Sequence, residues 1–247
     1  MQSGKYGNIF DVLVDRPTRA EAIFDYPVVA VAGDADLATI LPVVQEYTTK
    51  GGTLVVNVVA VVGQAQQQAI PAALLGIKLT GGTAVADEWV PGNATSRGGT
   101  LPATPYEIYE VAELAGAEVI AADGTASDAR PIITRNAVGA GAVILTLVPH
   151  NVGLDERAHP VLPWLMNGLT ESLVPVEVRM PDGSRPAGQI MYQINKAKTA
   201  AGGWVVTLMN NEGVDKTQSG IARVDRRAHV DVVITSTLPV AAAKEYT

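Results

Sequence analysis

The sequence predicts an α/β fold, a parallel sheet with helices on both faces, followed by a small antiparallel β domain. Three observations lead there. Short continuous apolar runs alternate with amphipathic ones along residues 1–174. A glycine pair closes the first long amphipathic run just before the next apolar one. Beyond Pro175 the apolar period falls to two. These place an α/β domain over 1–174 and a small antiparallel β domain over 175–247.

Taken in order, Asp11 to Val14 reads as a short strand and Thr18 to Phe24 as a turn or short helix. Pro27 to Ala32 is a strand continuous in apolar residues, as a parallel strand covered on both faces should be. Leu37 to Lys50 carries Leu37, Ile40, Leu41, Val44 and Tyr47 on one helical face. Gly51-Gly52 supplies a left-handed cap, and Thr53 to Val59 resumes as a buried strand. After Gly63 come a short helix, a loop and an exit strand, and then a polar surface excursion from Thr83 to Thr104. Val111 to Ala121, Pro131 to Thr134 and Ala142 to Val148 read as further strands, and Leu162 to Leu173 as the closing helix. In the tail, strand-like runs are separated by Asp182-Gly183, Ala201-Gly202-Gly203 and Asn211-Glu212-Gly213, all turn chemistry.

Composition excludes several function classes. With no cysteine, disulfides, thiolate metal sites and cysteine nucleophiles are absent. A net charge of −7 and no basic run argue against a nucleic-acid binder. No apolar run is long enough to cross a membrane, and no Gly-rich phosphate loop or paired metal-ligand spacing calls for a cofactor or a metal. Charged residues make up 17% of the chain, which falls below the usual share and suits either a secreted protein or, in the preferred reading, a surface covered by neighbouring protein.

The run from Tyr26 through Val28 to Ala32, Gly33, Tyr47, Lys50 and Gly51 to Val55 resembles one in class I glutamine-amidotransferase-like domains. It is most similar to the trimerisation domain of β-galactosidases and related multidomain bacterial glycosidases. The resemblance covers about residues 6 to 173 and implies a flavodoxin-like fold, in a chain that begins inside the domain as a piece of a longer polypeptide. It also implies homo-oligomers or other domains of the same polypeptide as partners. The compartment stays open, with secretion or the periplasm favoured for such an enzyme.

Amidotransfer needs a nucleophile on the turn after the central strand. The corresponding turn, Val58 to Gly63, holds no Cys, Ser or Thr, so no catalytic residue is assigned and enzyme activity is left undecided. Four residues are candidate ligand contacts. His150 follows a strand where a proton-transfer group would stand, or else it only caps its loop. Asp34 lies in a loop at the same strand edge and could meet a cation or sugar hydroxyls, or form an Asx turn, while Asp36 suits a helix N-cap. Asn57 interrupts an apolar strand and needs a partner, internal or bound. Trp89, in the polar excursion, could stack on a sugar or pack on a partner, whereas Trp164 and Trp204 read as core. Glu88, Glu107 and Asp155 are carboxylates from which a paired-acid hydrolase could draw.

The expectation is therefore a non-catalytic structural or oligomerisation module of a larger carbohydrate-active enzyme. The alternative is a small-ligand or carbohydrate-binding module that uses the loops at the carboxyl edge of the sheet.

Overall fold

The structure, a computed structural model, describes residues 13, 17–31, 37–62, 70–87, 90–91, 105–125, 128–149, 161–186, 190–197, 202–215, 220–221 and 223–244. The chain divides into two compact units, Leu13–Thr170 and one that includes Glu171 onward.

In the first unit a 3-10 helix at Pro17–Asp25 leads into β1 (Val28–Ala30). Helix α1 (Leu41–Thr49) follows, then β2 (Thr53–Asn57) and a 3-10 turn at Val58–Ala60. Pro42 in the first turn of α1 sacrifices no hydrogen bond there. The helix expected over Leu37 to Lys50 is shorter than its pattern, because residues 37–40 form a turn. A short helix, α2 (Ala72–Leu75), precedes β3 (Ile77–Ala86), β4 (Val90–Pro91) and β5 (Tyr106–Leu114). Then come β6 (Glu118–Asp123), β7 (Arg130–Val138), β8 (Gly141–Thr146) and α3 (Val161–Leu173).

The expected flavodoxin-like parallel sheet with helices on both faces is not the fold, and strands outweigh helices. The main sheet runs β1-β2-β8-β7-β6-β4, and only β1, β2 and β8 are mutually parallel. The β8/β7, β7/β6 and β6/β4 pairs are antiparallel. The physical reason lies in the connections. Gly139 and Ala140 alone join Val138 to Gly141, a span too short for the crossover that parallel strands require. Gly139 adopts φ +61°, which suits such a tight turn. The polar excursion expected from Thr83 also proves partly regular. Its first residues end β3, which pairs with β5 as a long antiparallel ribbon containing bulges.

The central strands are buried on both faces, which explains their continuous apolar sequence. Leu54, Val56, Val143, Leu145 and Leu147 point into one core with Ile23, Leu37, Val44, Tyr47, Leu74 and Leu75. Val55 and Ile144 point into the other, where Ala86, Tyr106 and Ile108 from the ribbon meet Val161, Trp164 and Leu165 of α3. The ribbon thus takes one of the places where a doubly wound fold would put a helix.

The second unit holds β9 (Val176–Arg179), β10 (Ile190–Lys196), β11 (Trp204–Asn210), β12 (Val214–Asp215), β13 (Arg223–Val224) and β14 (Val233–Ser236). They form three antiparallel pairs, β10/β11, β12/β13 and β9/β14. Among its described residues, the buried apolar side chains are Val178 and Ile194.

Candidate functional site

The carboxyl ends of β1, β2 and β8 lie at one edge of the sheet, where a parallel arrangement collects its loops. Asn57, the last residue of β2, is its described polar centre and is 3% exposed. Its Oδ1 accepts from the Val59 backbone N–H at 3.0 Å and so caps the turn that follows. Its Nδ2 donates to Thr146 Oγ1 at 3.0 Å and to the Val148 carbonyl at 2.9 Å. Thr146 Oγ1 in turn donates to the Val56 carbonyl at 3.4 Å. This closed network ties the end of β2 to the end of β8. The partner lies on the adjacent strand and just beyond it.

The turn after β2 is apolar throughout its described length. Val58, Ala60 and Val61 are buried in the same core as Leu54. An alkyl side chain offers neither a nucleophile nor a proton, so these atoms cannot attack an acyl or glycosyl centre. Asp34, Asp36, Trp89, Glu88, His150 and Asp155 lie outside the described residues. Glu107 sits on the ribbon directly across from Val85. Trp164 is buried on α3, while Trp204 is partly buried opposite Lys196.

The motif around Tyr47 is structural at each described position. The Tyr47 hydroxyl donates to the Tyr26 carbonyl at 2.9 Å and to the Thr53 carbonyl at 3.3 Å, which links the entries to β1 and β2. Burial pushes this hydroxyl up to about 12, partly opposed by the bond to Thr53. A Cβ on Gly52 would stand 2.2 Å from the tyrosine ring, so only glycine lets the ring lie there. Gly51, at φ +114°, makes the turn itself.

A second polar cluster, which the sequence alone did not single out, gathers at the ends of four strands. Asp123 closes β6 and accepts from Arg130 at the start of β7 and from the Asp87 backbone N–H at 3.3 Å. Tyr106 opens β5 beside them, and its hydroxyl is driven well above the ordinary tyrosine range by burial and then by Asp123 and Asp87. The carboxylate is almost fully enclosed and the guanidinium partly exposed. The cluster fastens the ribbon to the sheet. Its bonded pairs are 7 and 36 residues apart in the chain, which explains why no local motif announces it. Among the described residues no group of three or more His, Asp or Glu could hold a metal ion. No described helix is long and apolar enough to cross a membrane.

No protein-family model matches the chain, and no curated protein matches it. Several solved structures align with parts of the chain. A cytoplasmic protein from Salmonella typhimurium LT2 aligns over 62% of this chain and 74% of its own, at 12% identity and a TM-score of 0.45. The GH42 β-galactosidase of G. stearothermophilus aligns over 87% of this chain and 32% of its own, at 16% identity and a TM-score of 0.42. A cold-adapted β-galactosidase from Rahnella sp. R3 aligns over 85% and 31%, at 14% identity and a TM-score of 0.42. The chain therefore spans about a third of the length of these two galactosidases. At such scores the likenesses assign neither a family nor an activity to this chain.

Proposed function

We propose that the chain is a non-catalytic structural or oligomerisation module that belongs to a larger carbohydrate-active enzyme. One observation carries the non-catalytic part. The turn at the carboxyl end of β2, where parallel strands commonly present reactive groups, is filled by the buried side chains of Val58, Ala60 and Val61. Beside it, each polar atom of the Asn57 amide is engaged within the fold. The glycosidase context comes from the resemblance of the Tyr26 to Val55 run to the trimerisation domains of β-galactosidases. The low content of charged residues supports a surface that meets protein.

The test combines chemistry with hydrodynamics. The purified chain is expected to leave aryl glycosides and glutamine unhydrolysed, and to sediment as a multiple of 25.8 kDa. Turnover of either substrate that disappears on His150→Ala would overturn the reading.

A further inference from the structure

We infer that the β3/β5 ribbon is a fixed strap that closes the carboxyl end of β8 from within the chain and denies that edge to soluble ligands. The inference deepens the non-catalytic reading above and rests on it. A parallel arrangement commonly leaves its carboxyl edge open to ligands. Here the backbone groups at the end of β8 are taken. Leu147, the residue just beyond Thr146, donates its N–H to the Ile132 carbonyl at 2.9 Å, and its own carbonyl accepts from the Tyr109 N–H of β5 at 2.9 Å. The next carbonyl, that of Val148, accepts from Asn57.

The ribbon reaches this place because it bends. Leu79, Tyr109 and Val111 pack on the core that holds Val44 and Tyr47 of α1, whereas Ala84, Ala86 and Ile108 pack on the core that holds α3. Between these two halves, three residues of β3, Thr80 to Gly82, stand against the single residue Glu110 of β5. Extra residues on one strand bend a ribbon and sharpen its twist. Gly81 takes φ +85° there, a conformation that a β-branched residue resists. The Thr80 Oγ1 accepts from the Gly82 N–H at 3.0 Å, which keeps the bulge in shape.

Three attachments hold the strap down. At its base, Asn136 of β7 donates through Nδ2 to the Ala73 and Leu74 carbonyls of α2, at 2.8 and 2.9 Å, just before β3 begins. Midway comes the Tyr109 bond to Leu147. At the far end, the Asp87 N–H donates to Asp123 Oδ1 at 3.3 Å. Ile108 and Ala86 are fully buried, so lifting the ribbon would bare part of the core beneath it to water. An opening of that kind costs nearly as much as unfolding the whole unit.

Amide hydrogen exchange of the full chain, followed by NMR, tests this. In the unchanged chain the Tyr109 and Leu147 amides are expected to exchange within about tenfold of the Val56 amide in the central strand, because all three open only with the whole unit. Galactose at about 10 mM, enough to fill a site of millimolar Kd, is expected to leave those rates unchanged. Gly81→Val should speed Tyr109 exchange more than about tenfold relative to Val56, while Gly81→Asn, which accepts a positive φ, should not. If Tyr109 already outruns Val56 by more than that in the unchanged chain, the ribbon is a gate and the strap is wrong. If galactose slows Tyr109 or Leu147, the edge takes a ligand, which overturns the strap while the sedimentation and hydrolysis tests still decide the module reading separately. Unaltered exchange in Gly81→Val would overturn the part given to the bulge. Should that variant fail to fold, the unchanged chain and Gly81→Asn still decide.

Discussion

At the scale of single residues, Asn57 and Tyr47 show how polar groups survive inside an apolar fold. Asn57→Ala leaves Thr146 Oγ1, the Val148 carbonyl and the Val59 N–H without their bonds. Buried groups left unpaired cost free energy, so a loss of about 2–4 kcal/mol is expected in urea unfolding. Tyr47 makes a prediction about pH. Its folded-state value of about 12 lies above the ordinary 10.0, so between these values the folded chain holds a proton that the unfolded chain releases. The Tyr47 contribution is therefore complete below pH 10 and lost as pH climbs through 12, by about 3 kcal/mol. Tyr106 and Tyr192 shift in the same direction, so Tyr47→Phe should flatten the stability profile there without abolishing its slope. The need of Asn57 for a partner was legible in the sequence, because an amide inside a valine run must be bonded. The partner was not, since Thr146 lies 89 residues further on.

At the scale of elements, the glycines around α1 and β8 set the packing distances. A Cβ on Gly141 would stand 2.2 Å from the Gly52 carbonyl oxygen and 2.4 Å from that of Thr48, both backbone atoms that cannot step aside. Gly141→Ala should therefore cost about 2–3 kcal/mol in thermal or chemical unfolding, as overpacking against rigid backbone does. The start of β8, its hairpin with β7 and the end of α1 meet at this point. The carbonyl of Thr49 accepts from the Ala140 N–H at 3.0 Å, and that of Gly52 accepts from the Ala142 N–H at 3.2 Å. The helix-cap glycines announced themselves in the sequence. The hairpin through Gly139-Ala140 did not, because the apolar runs on either side read equally well as parallel strands buried on both faces. Continuous burial alone does not tell direction. The length of the connection does.

At the scale of the whole molecule, buried apolar side chains are unevenly shared. The Leu13–Thr170 unit supplies both large cores, whereas Val178 and Ile194 are the buried apolar side chains among the described residues from Glu171 onward. A unit with so little core gains most from a partner that covers its strands. If copies associate as proposed, the melting temperature should rise with protein concentration, because binding favours the folded form. Differential scanning calorimetry over a hundredfold concentration range checks this, and a constant melting temperature would count against association. By itself the sequence determined that Thr53 to Asn57 and Ala142 to Thr146 are buried strands, where α1 must stop, and that residues 58–62 offer no nucleophile, because apolar runs, glycine pairs and side-chain chemistry are local properties. The run from Val111 to Ala121, which reads as one strand, is instead broken by a turn between β5 and β6. Only the tertiary structure decided strand direction, the β3/β5 ribbon in place of a helix over one face, and the Asp123, Arg130 and Tyr106 cluster. Those depend on contacts between residues far apart in the chain, and a pattern of buried and exposed positions carries no record of which distant strand completes each one.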